Sequence, residues 1–365
     1  NELVAAAATL TVNGSAATSL NWNGAAEADG AFNITGSAGN DTITGGAGND
    51  TFILGANLTA VDTISGGLGT DTLTFTDADG ATTDLNGVTN IETITLGAAV
   101  TTITTVNELV AAAATLTVNG SAATSLIWNG AAETNGAFNI TGSAGNDTIT
   151  GGAGADTITG GAGNDTLVGA AGADTYIFGL TDGTDTITDT SGASTLIQIT
   201  AGGATLSSLN FLNNGTNDIV IGFNGQQVTK TNQYFNNVID SITFTGGATY
   251  GGYILAGTGY EVSETLTGVV GSNTIIAGTT ANNTLTGDTG NDLLFGNDGA
   301  DTLNGGAGSD LLEGGAGNDR FVFAVGASGQ TTGTIDVIAD YTKGAVGTGD
   351  LIDHGSVLAI GGSAA

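Results

Sequence analysis

Residues 142–177 read GSAGNDTIT, GGAGADTIT, GGAGNDTLV and GAAGADTYI, four nonapeptides in direct succession. Each has Gly at its first and fourth positions, Asp at its sixth and an apolar residue at its eighth. So strict a period indicates a repeat architecture before any other fold. Gly accepts the positive φ of a sharp turn, so the first six residues of each unit make a loop. The last three, with an apolar residue in the middle, make one short strand whose central side chain points inward. Two nonapeptides then complete one turn, with their strands on opposite walls. Asp147 falls above Asp165 and Asp156 above Asp174, while Ile149 stacks on Leu167 and Ile158 on Tyr176.

The same unit recurs with varying fidelity. A second long block runs GDTGNDLLF, GNDGADTLN, GGAGSDLLE and GGAGNDRFV over 287–322, stacking Asp292 with Asp310 and Asp301 with Asp319. A shorter block holds GSAGNDTIT and GGAGNDTFI over 36–53, breaks at 54–60, and resumes as GGLGTDTLT over 66–74. That break is expected to disturb the stacking of Asp41 and Asp50. At 268–286 the pattern weakens, with Asn273 and Asn283 where Asp belongs, and no full site is expected there. Residues 1–50 and 107–156 are nearly one sequence, differing only at 21/127, 28/134, 29/135 and 49/155. In each copy the Ala-rich opening (Glu2 to Ala8 in the first) suggests about one helical turn. Thr9 to Val12 and Phe32 to Thr35 alternate as strands do, and Trp22 and Trp128 take matching core or cap positions.

Between the blocks, residues 179–255 carry longer strands and most of the larger aromatics outside the repeats, among them Phe211, Phe223, Tyr234, Phe235, Phe244, Tyr250 and Tyr253. The expected division is a first module over 1–106, its duplicate over 107–178, a β-rich insert over 179–260, a second repeat block over 261–323 and a cap over 324–365. The fold class is all-β: a parallel β-roll or β-solenoid interrupted by that insert. The absence of Pro suits a sheet in which nearly every N–H is paired.

Charge decides what such a solenoid needs. The chain has 35 Asp and Glu against 3 Lys and Arg, a net charge of −32. It repels nucleic acid and anionic membranes, and no run is long enough to insert into a membrane as a helix. Stacked strands lie ~4.8 Å apart, and two carboxylates ~5 Å apart repel by roughly 3 kcal/mol at an effective dielectric of ~20. A core that buries one apolar residue per nine does not carry that repulsion along a ladder. A hard divalent cation between loops reverses its sign. Calcium takes carboxylate and backbone carbonyl oxygens, whereas magnesium retains its waters. Asp41, Asp50, Asp71, Asp147, Asp156, Asp165, Asp174, Asp292, Asp301, Asp310 and Asp319 are therefore the expected ligands of several Ca2+ ions.

With no Cys, thiol chemistry and disulfides are excluded. The single His, His354, rules out a zinc-protease His pair, and we find no G-x-S-x-G elbow and no phosphate loop with its Lys. No catalytic residues are expected. Asn1 begins neither with Met nor with a basic leader, so the sequence reads as a processed product or a segment of something larger.

These nonapeptides resemble the RTX (repeats-in-toxin) family of calcium-binding parallel β-rolls, whose pattern G-G-x-G-x-D-x-U-x stands unbroken at 151–159, 160–168, 305–313 and 314–322. The resemblance implies a right-handed β-roll and type I secretion, with folding outside the cell in calcium. It implies ligands from sixth-position Asp and from loop carbonyls, which map onto Gly145, Gly154, Gly163, Gly172, Gly290, Gly299, Gly308 and Gly317. The Thr/Ala/Gly-rich, duplicated sequence is also similar to bacterial surface-layer proteins and RTX adhesins. The expected role is thus a self-assembling structural subunit at the bacterial cell surface, a homo-oligomer as lattice or filament that meets cell-surface polysaccharide. The alternative is the carrier region of a secreted adhesin, toxin or hydrolase.

Overall fold

The computed structural model describes residues 4–77, 80–107, 109–188, 195–200, 209–213, 219–223, 226–231, 239–245, 249–250, 253–254, 259–262, 265–267, 274–278, 282–287, 289–323, 336–342 and 349–354. All regular elements among them are β-strands, and no helix is long and apolar enough to cross a membrane. The chain divides into two compact units, 1–195 and 196–365.

The first unit is a parallel β-solenoid. One wall is a continuous sheet of Thr9–Asn13, Ala31–Thr35, Thr51–Gly55, Thr72–Phe75, Thr93–Leu96, Thr115–Asn119, Ala137–Thr141, Thr157–Thr159 and Asp174–Gly179, in that order. The opposite wall is split. Asn21–Asn23, Thr42–Thr44, Thr63–Ser65 and Val88–Thr89 form one sheet, and Val100–Thr104, Ser125–Asn129, Thr148–Thr150, Thr166–Val168 and Thr184–Thr188 belong to another. The register is the one the period demands, with Ile149 opposite Leu167 and Ile158 opposite Tyr176. Period-2 alternation turns Phe32, Ile34, Phe52, Leu73, Ile94, Ile158 and Tyr176 inward from one wall, and Ile43, Ile64, Ile103, Ile149 and Leu167 from the other; all are buried.

The duplicated sequence meets two environments. In the second copy, Ile103 lies on one side of Trp128 and Ile149 on the other, and Trp128 is fully buried. In the first copy Trp22 has Ile43 on one side and no described strand on the other, and is only half-buried. Leu10 and Val12 are likewise half-buried where Leu116 and Val118 are buried. Each Trp packs edge-on against the Phe of its own copy, Phe32 at 5.4 Å and Phe138 at 5.6 Å.

Two expectations need correction. The Ala-rich openings are turns rather than helix: Ala8 N–H donates to the Ala5 carbonyl at 2.8 Å, and Ala7 and Ala113 both sit at φ 61°. Four alanines favour helix weakly, and closing the next rung overrides them. The break at 54–60 does not unstack the first block. It lengthens the turn to 21 residues, and Asp41 and Asp50 stack on Asp62 and Asp71.

In the second unit two parallel ladders repeat the plan. Gly259–Val262, Thr274–Ala277, Leu293–Phe295, Leu311–Glu313 and Val337–Ile338 form one, and Thr265–Thr267, Thr284–Thr286, Thr302–Asn304, Arg320–Phe323 and Leu351–His354 the other. Their core is Ile276, Leu285, Leu294, Leu303, Leu312 and Phe321. The acidic segments at Asp336 and Asp350, expected as a cap, continue the stack: Val337 pairs with Leu311 and Leu351 with Arg320. Leu209–Asn213, Ile219–Phe223 and Gln226–Thr231 are antiparallel, unlike the solenoid strands. Phe223 is buried; the side chains of the other insert aromatics lie outside the described residues, as does Asn273.

Candidate metal centres

The carboxylates expected to stack do so through the backbone. Oδ1 of a sixth-position Asp accepts the N–H of the residue one rung below. Asp147 N–H donates to Asp165 at 2.8 Å, Asp156 to Asp174 at 2.9 Å, Asp292 to Asp310 at 2.9 Å and Asp301 to Asp319 at 2.9 Å. Asn283 keeps the backbone half of this pattern, donating to Asp301 at 2.7 Å. The ladder reaches beyond the nonapeptides. Asp71 donates to Glu92, Asp165 to Asp185, Asp310 to Asp336 and Asp319 to Asp350. Val4 donates to Glu27 and Val110 to Glu133. Sequence reading missed these acids because no nine-residue spacing marks them. For Glu92, Asp185 and Asp336 the signal was an acid two residues before an inward Ile, as in Asp185-Thr-Ile187 and Asp336-Val-Ile338.

The second carboxylate oxygen separates the loops into two kinds. In the loops of Asp41, Asp50, Asp147 and Asp156, the second-position N–H closes onto Oδ2 at 2.6–2.7 Å. In the loops of Asp71, Asp165, Asp174, Asp301, Asp310 and Asp319 the second residue has φ between 73 and 108° (Gly67, Gly161, Ala170, Asn297, Gly306, Gly315). That conformation turns the preceding peptide over. Oδ2 of Asp71, Asp165, Asp301 and Asp319 is then buried without a hydrogen-bond partner. The two kinds differ in what lies beneath. Under the closed loops, Oδ1 is met by the N–H of Leu20, Phe32, Leu126 or Phe138, residues outside any nonapeptide. Under every loop of the second kind lies another nonapeptide loop. A buried carboxylate oxygen with no donor is costly, and it is the ligand a hard cation takes.

Fourth-position glycines bring backbone onto backbone. A Cβ on Gly163 would press on the Gly145 carbonyl, and one on Gly308 on the Gly290 carbonyl far inside van der Waals contact. Gly308 also has φ 147°. Gly308→Ala is expected to cost about 1–3 kcal/mol from backbone strain alone and more from the clash. Gly55→Ala, at φ 54° with open space around it, should cost about 1–2 kcal/mol. Denaturant midpoints in saturating calcium compare the two, and equal shifts would show that the loops do not stack this tightly.

Electrostatics agree with the geometry. Burial pushes Asp165 up to about 7, opposed by the Asp147 N–H and reinforced by the charges of Asp185, Asp147 and Asp182. Burial likewise raises Asp71 and Asp310 to about 7, and Asp156, Asp185 and Asp301 to about 6. Like charges one rung away add to the shift at Asp71, Asp301 and Asp310. Among the described residues no three acidic or His side chains converge on one metal-sized centre. The oxygens available to a cation here are those of an Asp of each loop and of the loop carbonyls. The all-oxygen set, the unpartnered Oδ2 atoms and the stacked glycine carbonyls fit Ca2+.

The family model of the RTX calcium-binding nonapeptide repeat matches residues 33–57, 60–75 and 141–176, and in overlapping copies 267–303, 277–312 and 295–327. The chain thus carries RTX repeats in a parallel β-solenoid, and these repeats bind Ca2+. Comparison with curated proteins gives no match.

Proposed function

We propose that the chain is an extracellular structural subunit whose solenoids fold around calcium and pack side by side. Calcium would lie between loops 45–50 and 66–71, 142–147 and 160–165, 151–156 and 169–174, 287–292 and 305–310, and 296–301 and 314–319. In each pair the upper loop is of the second kind, and the Asp residues and fourth-position glycines of both loops supply the oxygens. The ion supplies positive charge and ligand geometry; the chain's own Asp and Gly residues place the oxygens and exclude water from the ladder.

One observation carries the reading of assembly. The outward residues of the long wall run in two straight ranks, one Thr11, Asn33, Thr51, Thr72, Thr93, Thr117, Asn139, Thr157 and Thr175, the other Asn13, Thr35, Ile53, Thr74, Thr95, Asn119, Thr141, Thr159 and Ile177. No residue in either rank is charged, in a chain of net charge −32. Parallel sheets are ordinarily covered on both faces. A neutral face is where one acidic molecule can approach another without repulsion once calcium neutralises the loops. Export by type I secretion fits the same reading, because a chain that needs millimolar calcium stays unfolded until it leaves the cytosol. Electron microscopy of the purified chain in calcium is expected to show ordered sheets or fibres that disperse in chelator. Dispersed monomers in calcium would favour a secretion carrier instead.

A further inference from the structure

We infer that the folded chain carries a site of covalent self-modification at Asn135–Gly136 and a second at Asn86–Gly87, where the Asn side-chain amide is lost through a cyclic imide. An Asn followed by Gly is the pair most open to this reaction, because Gly places no Cβ beside the attacking nitrogen. The first unit holds six such pairs, at Asn13, Asn23, Asn86, Asn119, Asn129 and Asn135, and all six Asn residues are exposed. Exposure therefore does not separate them; hydrogen bonding does. In four pairs both reacting groups are held. The Gly N–H donates to a carbonyl on the next rung, Gly14 to Thr35 and Gly120 to Thr141 at 2.7 Å, Gly24 to Thr44 and Gly130 to Thr150 at 2.8 Å. The Asn Oδ1 accepts the N–H two residues on, from Ser15 and Ala25 at 3.0 Å, Ser121 at 3.1 Å and Ala131 at 3.2 Å.

The other two pairs are open. Gly136 N–H reaches only Glu133 Oε1, at 3.4 Å, and that oxygen already accepts the Asn135 N–H at 2.8 Å. A contact that long holds the nitrogen weakly. Among the described residues the Gly87 N–H makes no hydrogen bond, and neither do the side-chain amides of Asn86 and Asn135. In the reaction the Gly nitrogen bonds to the Asn Cγ and gives up its proton, the Cγ–Nδ2 bond breaks, and ammonia leaves with that proton. Water then opens the imide ring at either carbonyl, leaving Asp or its isomer linked through the side chain. Nothing is oxidised or reduced. The duplication shows that the Asp product fits. The first copy has Asp29–Gly30 in the place of Asn135–Gly136, and its turn keeps the same contacts. Gly30 N–H meets Glu27 Oε1 at 3.4 Å, and Val4 N–H meets Oε2 at 2.9 Å, against 3.0 Å for Val110 on Glu133. The isomer differs, because it adds a backbone carbon where Gly136 packs so closely on Val110 that a Cβ would lie 2.3 Å from Val110 Cγ1. Modification at Asn135 thus adds negative charge to the turn, and its isomer loosens the seat of Gly136 on Val110.

Peptide mapping by mass spectrometry of the full chain, aged at pH 8 in calcium, tests the assignment. Asn86 and Asn135 are expected to convert to the acid. Asn13, Asn23, Asn119 and Asn129 should convert at least about tenfold more slowly, because each must first break two hydrogen bonds. Ageing in chelator at the same pH is expected to bring all six pairs to similar rates, since only the neighbouring sequence then controls them. In calcium, rates at Asn86 and Asn135 no faster than at Asn119 and Asn129 would overturn the two sites. Selectivity that persists in chelator would support the sites and contradict calcium-dependent folding instead. Asn135→Asp is expected to keep the denaturant midpoint of the unsubstituted chain in calcium. A lower midpoint would overturn the claim that the Asp product fits the turn.

Discussion

Trp128→Ala should destabilise the calcium-loaded chain by about 3–5 kcal/mol, the range for removing a large aromatic from a closed core. Trp22→Ala should cost roughly half as much. The local sequences are nearly identical, and both rings keep an edge-on Phe, at 5.4 Å for Trp22 and 5.6 Å for Trp128. That contact cancels in the comparison. What differs is the rung below: Ile103 covers Trp128, while no described strand covers Trp22. The pair thus measures the value of one stacked rung in isolation from sequence. Denaturant midpoints read by Trp fluorescence and circular dichroism give both numbers. Equal shifts would mean that stacking between neighbouring rungs contributes little, which no solenoid account survives.

The parts of the fold legible in the sequence were those that a strict period fixes. Asp at position six and Ile or Leu at position eight placed the ladders and the inward residues, and the register of Ile149 on Leu167 followed. The stretched turns were illegible for a physical reason. A solenoid rung is closed by hydrogen bonds between neighbouring strands and loops, not by loop length, so inserted residues leave the stack unbroken. Asp62 at 21 residues from Asp41, Asp185 at 20 from Asp165 and Asp336 at 26 from Asp310 all keep the bond that an 18-residue turn makes. Glu27 and Glu133 do the same work in rungs without a nonapeptide. The two kinds of loop were also hidden, since GGAGADTIT at 151–159 is closed and GGAGNDTLV at 160–168 is not. What separates them is the loop underneath, which a single repeat does not encode.

Acid is expected to substitute in part for calcium. Asp71, Asp165 and Asp310 are raised to about 7 and Asp156, Asp185 and Asp301 to about 6, chiefly by burial, from an ordinary value of 3.8. A carboxyl whose folded value lies above its unfolded value binds more protons folded than unfolded. The metal-free fold therefore loses stability as pH rises from about 4 to about 7. Protonation also reduces the net charge of −32. In chelator the β-sheet signal should be stronger at pH 5 than at pH 8, and calcium binding near neutral pH should release protons. Calcium lifts this dependence, because ligation holds the same carboxylates ionised.

The central claim is that these acidic ladders fold only around their ions. Far-ultraviolet circular dichroism of the chelated chain at pH 8, followed through a calcium titration, addresses it most directly. The account predicts little β-sheet signal at the start and a cooperative rise as the ions bind. A full β-sheet spectrum in chelator at pH 8, unchanged on adding calcium, would contradict it.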